Sequence, residues 1–399
     1  MSQTLPLFIM VDACGWEIVK NDPFLQTLAP HRQKLRSIFG YSSTCVPSIL
    51  SGRTPVEHRN WCYFIHSPET SPFKPLRWLQ WLPRALTSRR IVRRLLTKLV
   101  KKHLGFEGYF DLYNVPFQHI ASYDFTEKKS PLKPRGMNRG TNIFDDLEAA
   151  GVRYFVSDPD KSEEQNRDEL IARIEARDID FAFIYWAGLD GLLHRVGNDS
   201  PLIGEKLREY ETWIGAVHET ASRYYDKVPL HVFSDHGMAN CDVHVDLMAK
   251  LKTVPLRFGK DYSAVYDSTM ARFWFHTPGA RETMEAALRA MPEGRIMPDS
   301  ELAELNTLFE DRAFGELIYL MPEGTLIVPS HMGERPIRAM HGYHPDDPHS
   351  YATLFTNEPT LPAKVTAIND IYKLMHHHVE AAAQAATDAP ADNALPIAA

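Results

Sequence analysis

Four short runs of apolar residues punctuate the chain, and each is continuous rather than alternating. They are LPLFIMV (5–11), DFAFIYW (180–186), PLHVFS (229–234) and YATLF (351–355). A strand that is apolar at consecutive positions is buried on both faces, so these runs read as parallel strands in a sheet covered by helices. Between them, DELIARIEAR (168–177) and LREYETWIGAVHETASRYY (207–225) repeat apolar residues three and four apart, the helical period. Strand alternating with helix predicts an α/β fold: a doubly wound, mostly parallel sheet with helices on both faces. In such sheets ligands bind beyond the carboxyl ends of the strands, which says where to look for chemistry.

Two regions interrupt the alternation. Residues 66 to about 140 are rich in Pro, Arg, Lys and Trp and read as an insertion. Residues 250–335 hold a strand pattern, DSTMARFWF (267–275), then a helical pattern near Ala280 to Ala290, and read as a second insertion or cap. The predicted organisation is one domain over residues 1–380 carrying both insertions. A disordered tail over 381–399 follows, where AAAQAATDAPADNALPIAA has little to bury.

Composition narrows the class. With 399 residues, 44% hydrophobic and 24% charged, the chain can bury a substantial core as a soluble enzyme does. A net charge of −7 argues against a general nucleic-acid binder, so no nucleic-acid polymer is expected as a partner. Cys14, Cys45, Cys62 and Cys241 form no CxxC pair and no disulfide framework. There is no signal-peptide pattern, and no run approaches the ~20 apolar residues of a membrane span, so a cytoplasmic location is expected.

One segment departs from the acidic average. Residues 71–106 contain no Asp or Glu, yet carry Lys74, Arg77, Arg84, Arg89, Arg90, Arg93, Arg94, Lys98, Lys101 and Lys102. Within it Ile91, Val92, Leu95, Leu96, Leu99 and Val100 recur at helical spacing, predicting a basic amphipathic helix near 88–104. Such a helix can contact an anionic membrane peripherally, steer a polyanionic substrate, or pack on the domain with a solvated basic face. The packed helix is the preferred reading. Trp78 and Trp81 suit either an interface or packing.

Polar residues that end the predicted strands are the candidates for chemistry. Asp12 follows the first strand, where it can cap, turn or ligate a metal. Asp235 and His236 follow PLHVFS and offer a carboxylate oxygen and an imidazole nitrogen, a pair suited to zinc or manganese; Gly237 would permit a sharp turn. Asp190 and His194 lie four residues apart after a strand, and share a face if the segment is helical. MHGYHPDDPHSY (340–351) offers His341, His344, Asp346, Asp347 and His349, some of them turn formers. Ser42, Ser43 and Thr44 stand at a predicted helix start, where unpaired N–H groups attract phosphate and where hydroxyls also serve as plain caps. His376, His377 and His378 point in different directions on a helix and make no metal site.

Taken in order, these motifs resemble the alkaline phosphatase superfamily, and most of all its nucleotide pyrophosphatase/phosphodiesterase (type I phosphodiesterase) branch. The resemblance rests on Asp after the first strand, a hydroxyl ten residues before Gly52, Asp-x-x-x-His, Asp-His-Gly and a late His-Gly. Pro55 and His58 match that branch's Pro-x-x-His, and Asp370–Ile371–Tyr372 its closing segment. The ten-residue register selects Ser42 as nucleophile. The branch usually has Pro and then Asn shortly after its nucleophile, where this chain has Thr44 and Cys45. Cys45–Val46–Pro47–Ser48 is similar to a sulfatase motif, but Ile49 stands where sulfatases have Arg.

What the resemblance implies is a metal-dependent hydrolase of phosphodiesters or nucleotide-type pyrophosphates. Asp12, Asp235, His236 and Ser42 would hold one divalent metal, and Asp190, His194 and His341 a second. Zn²⁺ is expected, with Mn²⁺ the alternative, and Ser42 would carry a phosphoseryl intermediate. A phosphomonoesterase or phosphosugar mutase could use the same scaffold. A non-catalytic membrane-docking protein would not need the ligand positions that survive here.

Overall fold

The computed structural model describes residues 3–83 and 89–387; Arg84 and residues 388–399 of the expected tail lie outside the described residues. Six strands form the central sheet: β1 (Leu7–Val11), β2 (His31–Leu35), β3 (Tyr154–Val156), β4 (Phe181–Trp186), β5 (Leu230–Phe233) and β6 (Ala352–Thr356). Their order is β2-β6-β5-β1-β4-β3. β1 pairs parallel with both β4 and β5, and β3 pairs parallel with β4.

β6 corrects one expectation. It runs antiparallel to both β5 and β2. A continuous apolar run records that both faces are covered, but not which way the strand points. The chain enters β6 from the carboxyl end of the sheet, with only a single 3₁₀ turn, Pro348–Ser350, after His341. A parallel strand would need a crossover of a dozen or more residues, so this one runs back. β2, sequence HRQKL, is an edge strand with mostly exposed side chains, and its polar residues hid it from the apolar pattern.

The principal helices are α1 (Ser42–Ser51), α2 (Arg90–Leu104), α3 (Glu163–Ala176), α4 (Gly188–Val196), α5 (Pro201–Tyr224) and α6 (Ile371–Thr387). Alternation along β1 explains why both faces are covered. Leu7, Ile9 and Val11 enter one buried cluster with residues of α3, α4 and α5, whereas Phe8 and Met10 enter another with Ile49 of α1 and Leu374 of α6. Fully burying an aliphatic or aromatic side chain stabilises by about 1.5–3 kcal/mol, so the central strand anchors the layers on both sides.

α6 runs to Thr387, past Ala381 where the tail was expected to begin. Alanine has the strongest helix propensity, and Ala382 packs against the core, so the alanine run extends the helix. The second insertion forms a four-stranded antiparallel sheet from Tyr262–Tyr266, Met270–Phe275, Arg295–Ile296 and Leu317–Leu320, with a helix over Ala280–Arg289.

In the first insertion α2 does not present the single apolar face that its spacing suggests. Leu96, Val100 and Leu104 pack on the insertion's apolar cluster. Arg93 is buried with them, donating from Nη1 to the Val115 carbonyl at 2.8 Å, with its guanidinium over the Phe117 ring. Ile91, Leu95 and Leu99 remain exposed. Among the described residues no helix is long and apolar enough to cross a membrane.

Candidate two-metal active site

The carboxyl ends of β1, β4 and β5 converge, and with them the polar residues that end each strand. Asp190 sits in the first turn of α4 and His194 one turn later, so helical spacing brings His194 Nε2 to 3.2 Å from Asp190 Oδ1. His194 Nδ1 lies 2.8 Å from the Ala339 carbonyl oxygen, an arrangement in which Nδ1–H donates and Nε2 keeps its lone pair for the site. His341 reaches the same carboxylate, with Nε2 3.6 Å from Asp190 Oδ1. Its ring stacks on His236 with centroids 3.7 Å apart.

Around β1 and β5 a second group assembles. His236 Nε2 lies 3.1 Å from Asp235 Oδ2, 3.5 Å from Asp12 Oδ1 and 3.0 Å from Ser42 Oγ. Its Nδ1–H donates to the Gly237 carbonyl at 2.9 Å, again leaving Nε2 toward the group. Asp235 Oδ1 accepts from the Ala13 N–H at 3.3 Å, and the Tyr185 hydroxyl donates to Asp12 Oδ2. Gly237 is not in a left-handed turn: a Cβ there would collide with the His349 carbonyl oxygen, so close backbone approach excludes a side chain.

At these strand ends the ligand atoms fall into two sets, each with its atoms within 4.8 Å of one another: Asp190, His194 and His341, and Asp12, Asp190 and His236. The first is the predicted trio. The second differs from expectation in that Asp190 belongs to both, while Asp235 borders it through His236. The charges of the site fit resident cations. Burial, with Asp235 and Asp190 close by, pushes Asp12 well above the usual carboxylate range, and burial pushes Asp235 up to about 7. Burial also works to raise Asp190, but His194 and His341 beside it hold that carboxyl below the usual range. His194 is raised in return: burial lowers it, and Asp190 more than compensates. Burial and the stacked His236 hold His341 well below an ordinary imidazole. Asp12 Oδ1, Asp190 Oδ1, Asp235 Oδ2 and His341 Nδ1 are buried with no hydrogen-bond partner among the described residues. Buried oxygens of this kind are costly unless something positive satisfies them. Mixed carboxylate and imidazole donors without thiolate suit Zn²⁺ or Mn²⁺.

Ser42 is the first residue of α1, and Gly52 closes that helix in the left-handed conformation (φ 68°). Two contacts brace it. Ser48 Oγ lies 2.8 Å from Nε2 of buried His58, and the Tyr372 ring packs where a Cβ of Gly52 would sit. The site opens into a cavity of about 1310 Å³ whose walls include Tyr63, Tyr109, Tyr113, Lys101, Lys133 and Arg335.

The sequence profile of the family described as type I phosphodiesterase/nucleotide pyrophosphatase matches residues 7–344. The chain belongs to this family. Two human proteins align over shorter stretches. Ectonucleotide pyrophosphatase/phosphodiesterase family member 7 is 32% identical over 79 residues, and the catalytic subunit of GPI ethanolamine phosphate transferase 2 is 30% identical over 95 residues. Those alignments span 17% and 10% of the relatives' lengths. Solved murine and human ectonucleotide pyrophosphatase/phosphodiesterase 5 superpose over 95% of both chains, with TM-scores of 0.66 and 0.65 at 16% and 15% identity. That likeness establishes the fold.

Within this family fold the remaining candidates separate cleanly. His344 turns away from the site, with Nε2 3.2 Å from Glu301 and its backbone N–H donating to Asp347. Asp346 pairs with Arg36, and His349 with Glu323, each at 2.6 Å. Cys45 is fully buried with its thiol against the Ser37 hydroxyl and the Ile38 carbonyl, away from the cavity. His378 meets His231 and Glu358 at the start of β5, a grouping that the sequence did not suggest. Both imidazoles are held low, His231 to about 3 and His378 to about 4, by burial and a neighbouring histidine. Their Nε2 atoms are 3.3 Å apart, so a hydrogen bond between neutral rings accounts for the group. Tyr185 was missed as an Asp12 partner. A tyrosine next to the last position of an otherwise apolar strand, paired with Met10 and so on the same face as Asp12 two residues on, was the available signal.

Proposed function

We propose that the protein hydrolyses phosphodiesters or nucleotide-type pyrophosphates through a phosphoseryl intermediate on Ser42. Asp12, Asp235, His236 and Ser42 would hold one divalent cation, and Asp190, His194 and His341 the other. The observation that carries this reading is the position of Ser42 Oγ, 3.0 Å from His236 Nε2, the atom that also lies 3.1 Å from Asp235 Oδ2 and 3.5 Å from Asp12 Oδ1. When bound, the cations supply positive charge for the phosphoryl oxygens and favour the alkoxide form of a hydroxyl.

The rest is the work of side chains and backbone. His236, fixed by its bond to the Gly237 carbonyl, would present Nε2 to the cation, with Ser42 Oγ beside it. Ser42 Oγ attacks phosphorus as its proton passes to solvent, and the bond to the leaving oxygen breaks, with that oxygen taking up a proton from solvent. The N-terminal end of α1 favours the developing negative charge on the phosphoryl oxygens. Water then attacks phosphorus and the bond to Ser42 Oγ breaks, releasing a phosphomonoester and restoring the serine hydroxyl. The Asp190 carboxylate, held ionised by His194 and His341, remains an oxygen donor throughout.

The breadth of the cavity supports a substrate substituted on both sides of phosphorus, and Lys101, Lys133 and Arg335 in its walls support an anionic one. Tyr63, Tyr109 and Tyr113 provide flat aromatic surfaces, and an inactive variant of murine member 5 has been solved with AMP, both in keeping with a nucleotide. The test is a panel of diesters, nucleotide pyrophosphates and monoesters, with acid-quenched enzyme analysed by mass spectrometry. Turnover of the first two classes is expected, with Ser42 carrying the phosphoryl group and the one substituent that it retains. Turnover of monoesters alone, or return of the phosphoryl group to a second position of a sugar, would replace the proposal with a phosphomonoesterase or a mutase.

A further inference from the structure

We propose that the first insertion docks the enzyme on an anionic lipid bilayer. Two of its elements pack on one apolar cluster and still leave large apolar side chains in water. α2 contributes Leu96, Val100 and Leu104 to the cluster, and the 3₁₀ segment Lys74–Trp81 contributes Leu76 and Leu79. Ile91, Leu95 and Leu99, at successive four-residue steps, are 73%, 59% and 65% exposed. Trp78 and Trp81 are 63% and 76% exposed, followed by Leu82 at 44%. These are six of the ten exposed large hydrophobics identified among the described residues, and all six lie within one short stretch of chain. Scattered exposed leucines need no explanation, but a concentration of this kind marks an interaction surface.

Charge decides the occupant. Arg90, Arg94, Lys98 and Lys102 repeat at the same four-residue step one position earlier, so an exposed cationic stripe runs beside the apolar one. No acidic residue occurs from 71 to 106, in a chain whose net charge is −7. A second copy of this chain would bring the same cations face to face. A nucleic acid would satisfy the cations but leave the apolar stripe in water. An anionic bilayer satisfies both: basic groups meet lipid headgroups, aliphatic side chains enter the acyl boundary, and tryptophan occupies the interface. Lys101 and Phe106, from the end of α2 and just beyond it, line the catalytic cavity, so the docking element also forms part of that cavity's wall. The docking itself does not depend on how the metal site is read.

The test uses the full chain and vesicles of phosphatidylcholine with and without phosphatidylserine, read by co-sedimentation and tryptophan emission. The protein should sediment with the anionic vesicles, shift its emission to the blue, and remain in solution with phosphatidylcholine alone. Added salt should weaken binding. The triple variant Ile91→Ser, Leu95→Ser, Leu99→Ser and the double variant Arg94→Glu, Lys98→Glu should each lose at least tenfold in vesicle affinity. Both should retain circular dichroism and turnover of a soluble substrate, since the altered residues are exposed and outside the site. Equal binding to both vesicle types, or undiminished binding by both variants, would overturn the proposal. If the protein ignores vesicles but is retained by polyglutamate, the face binds an acidic protein and the membrane proposal fails.

Discussion

Ser42→Ala separates a structural role from a chemical one, because the two predict effects of different size. Ser42 Oγ has one side-chain contact of note, the 3.0 Å hydrogen bond to His236 Nε2. A hydrogen bond of this kind contributes about 1 kcal/mol net, and alanine suits a helix at least as well as serine. The variant should therefore fold, with stability within about 1 kcal/mol of wild type. If Ser42 is the nucleophile, kcat should fall by about three orders of magnitude or more, equivalent to about 4 kcal/mol of transition-state stabilisation. Its neighbours serve as internal controls. Ser43 Oγ and Thr44 Oγ1 are buried with no hydrogen-bond partner among the described residues. Thr44→Val removes an unsatisfied hydroxyl while keeping the shape, so it should stabilise by about 1 kcal/mol and leave kcat near wild type. Denaturant titration gives the stability, steady-state turnover of bis-p-nitrophenyl phosphate gives kcat, and mass spectrometry after acid quench locates the phosphoryl group. Phosphate on Ser43 or Thr44 would refute the ten-residue register. Wild-type turnover by Ser42→Ala with no phosphoenzyme would refute the covalent mechanism itself.

Elemental analysis should find two divalent metals per chain, and chelation should abolish turnover; a metal-free preparation that still cleaves phosphoesters would contradict the site. His194→Ala should lower turnover at least a hundredfold while circular dichroism is unchanged, since it removes one donor from the Asp190 trio; full activity with full metal content would show the trio misassigned. In chelated protein, Asp235→Asn should have a pH-dependent effect of opposite sign to its effect on catalysis. Burial lifts Asp235 to about 7, so the folded state keeps a proton that the unfolded chain loses above about pH 4. Its contribution is therefore present below about pH 4 and is lost as pH rises toward 7. The metal-free variant should gain on metal-free wild type by up to a few kcal/mol between about pH 5 and pH 8, measured by denaturant titration, and lose activity when metal is restored. No change in the stability difference across that interval would show that the carboxyl is ionised throughout.

Much of the site was legible because its residues are tied to features that sequence records directly. Asp12, Asp190 and Asp235 each follow an apolar run closely, and the register of β1 with β4 and β5 then brings them together. Asp190 and His194 needed only the helical period. Ser42 needed Gly52, whose left-handed φ ends α1 at a fixed distance from its start. What escaped were properties of neighbours far apart in sequence. The late His-Gly of the resemblance pointed to His341, but not to the physical reason that sets His344 aside: Glu301 pairs with His344 and takes it out of competition. Tyr185 was visible as a strand residue, but its bond to Asp12 requires the parallel pairing of β1 and β4.

The same distinction explains two details of the fold that the apolar pattern did not give. Apolar character reports burial, and burial has no direction, so β6 was assigned to the sheet but given the wrong sense. Helical periodicity reports that two apolar residues share a side, not how many partners that side meets. Along α2 the apolar positions span an arc wider than one packing partner covers. Leu96, Val100 and Leu104 reach the domain, Ile91, Leu95 and Leu99 do not, and Arg93 is drawn inside because its guanidinium finds the Val115 carbonyl and the Phe117 ring. A buried arginine among leucines, with leucines left among exposed arginines, runs against what packing on the domain alone would select. On the docking proposal the apolar stripe takes an occupant outside the fold, and the cations beside it set the charge that occupant would carry.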